Sequence, residues 1–233
     1  MTVVERPAHE RLAPWLRTGL GAVLGIVAGT AIVVAVALAV RNDHGSGVAA
    51  TEYRELAPFA TVELAGENTV TIRVGPAQSV AVTADEDLID RVTPTVRSGR
   101  IIIANEGRFT PATRMSVAVS VPSLDRVVLS GSGTVTVEGV TGTDFVADLS
   151  GTGTLAASGT VDHLTAMLSD TGTVDLQRLI ARDAITRMDG TGVINVHATS
   201  TLDATLTGTG SIIYSGSPSV TTHNTGTGSV TGG

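Results

Sequence analysis

The sequence predicts an all-β fold: a single-stranded parallel β-helix or β-solenoid, preceded by one N-terminal transmembrane helix. Three observations carry this. A Gly-x-Gly phrase, with Asp170 standing for the first glycine in its third copy, recurs six times between Ser130 and Val230. The residues flanking each phrase alternate with the period of two that belongs to strands. Near the N-terminus, Gly19 to Val40 is a run of 22 residues without a charge.

From the N-terminus, residues 1–18 are polar and of mixed charge, with Arg6, Arg11 and Arg17 against Glu5 and Glu10. The apolar run 19–40 is about 30 Å long as a helix, the thickness of a bilayer core. Trp15 just before it fits an interfacial anchor. Three arginines precede the run and only Arg41 follows closely, so the positive-inside bias places 1–18 as a short cytoplasmic tail and the bulk of the chain outside. The run exceeds the apolar core of a cleaved leader, which favours an uncleaved signal anchor. If it is cleaved, for which Ala37-Leu38-Ala39 offers a small-residue site, the protein is secreted. Gly21, Gly25 and Gly29 share one helix face and permit close helix–helix approach, a route to a homo-oligomer.

Residues 41–52, with Gly45-Ser46-Gly47, read as a flexible linker. The ectodomain, 53–233, opens with strand patterns at 61–64, 69–74, 79–83, 100–104 and 115–121, separated by Gly-, Pro- and Asp-rich turns. Asp85 to Asp90 reads as a helical turn or a surface loop.

Repeat coils occupy about 127–233. The second glycine of each phrase stands at 133, 153, 172, 192, 210 and 228, giving steps of 20, 19, 20, 18 and 18 residues. Steps of that length mean stacked coils. Leu129, Gly131, Gly133 and Val135 share parity, as do Leu168, Asp170, Gly172 and Val174, or Leu206, Gly208, Gly210 and Ile212. Large apolar residues therefore bracket glycines at a sharp bend, and stacking aligns them into two apolar rows with hydroxyl ladders outside. Right-handed coils are the default for parallel connections. Aromatics make up only 3%, so Val, Leu, Ile and Ala must build the core. The final coil, at a solenoid end, is a second route to self-association.

At this point the residues match a known pattern. Pro58-Phe59-Ala60-Thr61-Val62, Ser79-Val80-Ala81-Val82, Asp87-Leu88-Ile89, Val96 to Ile101, Val121-Pro122-Ser123-Leu124, the glycine phrases and Gly210 to Pro218 together resemble the putative auto-transporter adhesin, head GIN domain family. The resemblance covers about 53–233. It implies a β-helical bacterial envelope domain and brings no catalytic residues with it.

Composition and motifs narrow the chemistry. There is no cysteine, which excludes disulfides and Cys-ligated metal centres, and a net charge of -7 opposes a nucleic-acid footprint. All basic residues are arginine, so no P-loop exists; no Gly-x-Ser-x-Gly elbow occurs; and no Gly-x-Gly phrase is followed by a helix, which removes dinucleotide binding. His9, His44, His163, His197 and His223 show no metal-ligand spacing. Asp148, Asp170 and Asp189 beside the glycine phrases are candidates for a cation or sugar site, and more simply turn residues. Asp125, Asp144, Asp162, Asp183 and Asp203 are expected to form turns and a solvated face. No catalytic, cofactor or metal residue is assigned.

The expected function is a non-enzymatic, membrane-anchored cell-envelope module, a rigid β-helix presenting a surface to a protein or glycan as adhesin or scaffold. The alternatives are a β-helix carbohydrate-active enzyme using paired Asp and an envelope-stress or signalling accessory.

Overall fold

The computed structural model describes residues 43–233. The 1–18 tail, the Gly19–Val40 run and the Gly21, Gly25, Gly29 face lie outside the described residues. Among the described residues no helix is long and apolar enough to cross a membrane.

The N-terminal part carries β1 (Asp43–His44), β2 (Ala49–Tyr53), β3 (Thr61–Leu64), β4 (Thr69–Val74) and β5 (Ser79–Asp85), then a short 3-10 turn at Ile89–Arg91. It continues with β6 (Val92–Arg97), β7 (Arg100–Asn105), β8 (Phe109–Thr110), β9 (Ser116–Val121) and β10 (Arg126–Leu129). The repeats form β11 (Thr134–Leu149), β12 (Thr154–Leu168), β13 (Thr173–Met188), β14 (Val193–Leu206), β15 (Ser211–Gly216), β16 (Ser219–Asn224) and β17 (Ser229–Gly232). All but β1 and β8 join one 15-stranded sheet, wound as an all-β solenoid.

Each glycine phrase is a corner. Past it, the backbone N–H of Thr154, Thr173, Val193, Ser211 and Ser229 donates to the carbonyl of Gly133, Gly153, Gly172, Gly192 and Gly210 in the preceding coil. A Cβ on the second glycine of a phrase would overlap that same carbonyl, as Gly192 shows against Gly172 O. Close approach, not an unusual dihedral, fixes glycine here. The apolar rows run as expected: Leu64, Leu129, Leu149, Leu168, Met188 and Leu206 on one side of the corner are fully buried. On the other side Val70, Val135, Leu155, Val174, Ile194 and Ile212 are likewise.

A second corner lies inside each long strand, where the ladder slips between Val137 and Val140, Ala156 and Ser158, and Leu176 and Ile180. Gly139 turns there with φ of 77°. The four long strands have 16, 15, 16 and 14 residues, so this bulged corner absorbs the unequal repeat lengths while the glycine corners stay in register.

The N-terminal order departs from a simple winding. β3 pairs in parallel with both β7 and β10, and β4 with both β9 and β11. The β3–β4 coil is thus inserted between the β7–β9 coil and the first repeat coil. Antiparallel strands then cover the outer side: β6 on β7, β5 on β9, and β2 on β5. The expected strands at 61–64 and 69–74 are met residue for residue; β2, β6 and the β1–β8 pair are additions.

The expectation of a flexible linker at 41–52 is corrected for its described part. β2 lies along β5 from Ala49↔Asp85 to Tyr53↔Ala81. Ahead of it, Gly45 N–H donates to Thr110 O at 3.0 Å and Ser46 N–H to Asp87 Oδ1 at 2.9 Å. The reason is Asp85. It lies at the end of β5, where a helical turn or loop was expected, and its side chain is fully buried. Its carboxylate accepts from Gly47 N–H at 2.9 Å, Ala112 N–H at 2.9 Å and Thr113 N–H at 3.2 Å. Burial pushes this carboxyl upward, but the N–H donors of Thr113, Ala112 and Gly47 outweigh it and hold the group below its ordinary value. A depressed folded pKa contributes stability above the unfolded value of about 3.9 and loses it as pH falls through the folded one. Asp85→Ala should therefore free residues 45–53 at neutral pH. Faster amide exchange and proteolysis at that strap and at the Ala112–Thr113 segment sharing the carboxylate would be the readout, with acidification through the lowered folded value doing the same to the unmodified chain. Unchanged protection in the variant would contradict it.

Candidate binding surface

The two outer faces of the solenoid differ in chemistry. One carries a column that begins Thr69, Thr134, Thr154, Thr173 and continues Val193, Ser211, Ser229. This column carries no charge, and Ser211 and Ser229 approach to 3.3 Å between hydroxyls, while the next column on the same face holds Asp175. The other face is acidic and carries the candidate site.

On the acidic face, strand register places Asp144, His163, Asp183, Thr201 and Ser219 in one outward row. Two residues further along, Val146, Thr165, Ile185, Asp203 and Thr221 form the next. Between them runs an open groove of about 500 Å³. Ile185 is 43% exposed within it, a large aliphatic side chain held among polar ones. A coil advances the row by about 4.8 Å, so the stripe repeats at the spacing of its strands.

Asp183 is the organising group. Thr201 Oγ1–H donates to its Oδ1 at 2.7 Å, Arg182 Nε–H donates to its Oδ2 at 2.9 Å, and His163 Nδ1 lies 3.6 Å from that same oxygen. The Thr201 hydroxyl and the Arg182 guanidinium hold the Asp183 carboxyl below its ordinary value. Below that value it is an acceptor at neutral pH rather than a proton donor. A glycosidase acid needs the opposite shift. Its nearest acidic neighbour in the row, Asp144, stands two coils away, about 10 Å between strands.

Asp144, Asp162, Asp183 and Asp203, expected at turns, are instead inside the long strands; Asp125 alone precedes one, β10. Asp148 is paired with Arg126. Asp170 and Asp189 sit at glycine corners, where Asp189 Oδ1 accepts from Thr207 Oγ1–H. The histidines are dispersed: His44 on β1, His163 on the acidic face, His197 near Ser215 Oγ at 3.1 Å, and His223 on β16. Among the described residues no three His, Cys, Asp or Glu side chains converge as metal ligands.

The row was present in the sequence under a different count. Each of Asp144, His163, Asp183, Thr201 and Ser219 lies nine residues before the second glycine of the following phrase, and each member of the Ile185 row lies seven before. Counted forward from the preceding glycine the offsets vary, because the bulged corner intervenes.

The comparisons agree with this architecture. A putative adhesin from Bacteroides fragilis is similar in structure with a TM-score of 0.68 at 17% identity, covering 81% of this chain and 99% of that one. A putative lipid binding protein from Parabacteroides distasonis follows with a TM-score of 0.55 at 20% identity, covering 83% and 100%. A putative adhesin from Parabacteroides merdae has a TM-score of 0.53 at 17% identity, covering 82% and 99%. At these identities the likeness concerns the fold. No curated protein matches the chain. Residues 58–218, which hold the inserted coil, the covering strands β5 and β6 and the acidic row up to its last strand, match the family described as putative auto-transporter adhesin, head GIN domain, and the chain belongs to that family.

Proposed function

We propose that this protein is a non-enzymatic cell-envelope module that uses the acidic face of its solenoid to bind a protein or glycan. In this reading the Gly19–Val40 run holds it at the membrane, with residues 1–18 in the cytoplasm and the solenoid outside. The observation that carries the reading is the groove beside Ile185, flanked by Asp144, His163, Asp183, Thr201 and Asp203. An exposed aliphatic between acceptors and hydroxyls matches a ligand that offers both apolar patches and donor groups, as sugars and peptides do. Adhesin names among the family and the structural neighbours are consistent with a surface-interaction role rather than an enzymatic one.

The test is a glycan array together with cross-linking in the native envelope, comparing the unmodified chain with Asp183→Ala and Ile185→Asp. Removing a central contact should weaken binding by roughly tenfold or more, about 1.4 kcal/mol. Phospholipid vesicles serve as a further probe, since one structural neighbour bears a lipid-binding name. Failure of both screens to find a partner, or a partner indifferent to both substitutions, would remove the acidic face as the site.

A further inference from the structure

The two ends of the coil stack are built differently. On the N-terminal side the outermost parallel strands, β7 and β9, are covered by antiparallel β6 and β5. The outer strand β6 carries Pro94 and Arg97, a missing donor and a charge of the kind that discourages strand pairing. At the other end, among the described residues, β16 pairs only with β14 and β17 only with β15. No other described strand pairs with their far edges.

That open edge lacks the usual protection. From Ala204 to Gly233 there is no Asp, Glu, Lys or Arg, in a chain whose net charge is -7. The core rows also surface there. Leu202 and Ile212 are buried, while Val220 and Val230, the next residues in their rows, are only partly covered. Only the glycine corner is closed. Asn224 stands where the row has Leu206 beneath it, accepts from Gly226 N–H at 3.0 Å and donates to Gly228 O at 3.0 Å.

We propose that this edge is a self-association surface, on which β16 and β17 pair antiparallel with the same strands of a second copy. A second copy fits on three grounds. Head-to-tail stacking would need an open N-terminal edge, and that edge is covered by antiparallel strands. A two-fold contact sets like against like, which an uncharged coil allows without repulsion and the acidic face does not. The contact also covers Val220 and Val230 together and closes after two copies. It is independent of what the acidic face binds.

The chain contains no cysteine, so single thiols report contact cleanly. Thr231→Cys places one on the outward side of β17; Thr95→Cys places one on the outward side of β6. In the full chain in detergent, mild oxidation should give a disulfide-linked species of twice the chain mass from Thr231→Cys. Its yield should exceed that of Thr95→Cys by roughly tenfold, because pairing raises the local thiol concentration. Adding Val230→Arg to Thr231→Cys should abolish the excess, with far-UV circular dichroism confirming that the solenoid remains. Equal yields at the two edges, an excess that survives Val230→Arg, or a cross-link to a different protein would overturn the proposal. A dimer by light scattering without the Thr231→Cys cross-link would do the same, since it places the contact elsewhere.

Discussion

Replacing Gly192 by valine should destabilise the solenoid by about 3 kcal/mol or more. The position is buried, and its Cβ would overlap the Gly172 carbonyl and come within 2.7 Å of Leu168 Cδ2. Both obstacles are fixed. The carbonyl is the acceptor for Val193 N–H, and Leu168 belongs to the central apolar row. Relief requires the coils to separate at this corner, which lengthens the stacking hydrogen bonds on either side of it. Since each coil contacts only its neighbours, the damage falls on both adjoining interfaces. For a domain of this size the melting temperature should drop by roughly 10 °C. Thr191→Val, one residue earlier and exposed, should stay within about 0.5 kcal/mol of the unmodified chain. If the two variants melt together, close approach is not what fixes the glycine column.

Phe145→Ala should cost about 3–5 kcal/mol. Phe145 is among the largest fully buried side chains, at 1% exposure, and heads the inward row Phe145, Leu164, Ala184, Leu202, Val220. β10 pairs with β11 only from Arg126↔Val146 onward, so no paired residue lies beneath the ring. Truncation leaves a cavity in a close-packed core, into which the neighbours relax only partly. Val146→Ala, the adjacent half-exposed residue, should cost well under half as much. Chemical denaturation of both variants measures the difference, and a Phe145→Ala cost below about 1.5 kcal/mol would show that the row repacks.

The acidic face was only partly legible. In the sequence Asp144 and Asp183 read as turn residues and His163 as a scattered side chain. What concealed them as a row was the bulged corner. It adds or removes a residue between the glycine phrase and the second half of the coil, so forward counting loses phase. Ile185, taken alone, reads as core like any isoleucine in a strand, and only its place seven residues before Gly192, shared with Val146, Thr165, Asp203 and Thr221, puts it in the outward row.

By itself the sequence determined the coil. Glycines at steps of 18 to 20 residues, flanked by Leu and Val of matching parity, admit close-packed corners and two inward rows, and both arise from local spacing along one strand. Tertiary structure decided the N-terminal order, the strap held by Asp85 and the groove. β3 lies between β7 and β10, and its Leu64 is paired with Leu129 across 65 residues without any repeat linking them. Such pairings are chosen by which edges and apolar faces remain to be covered once the chain has collapsed, and that competition leaves no periodic trace in the sequence.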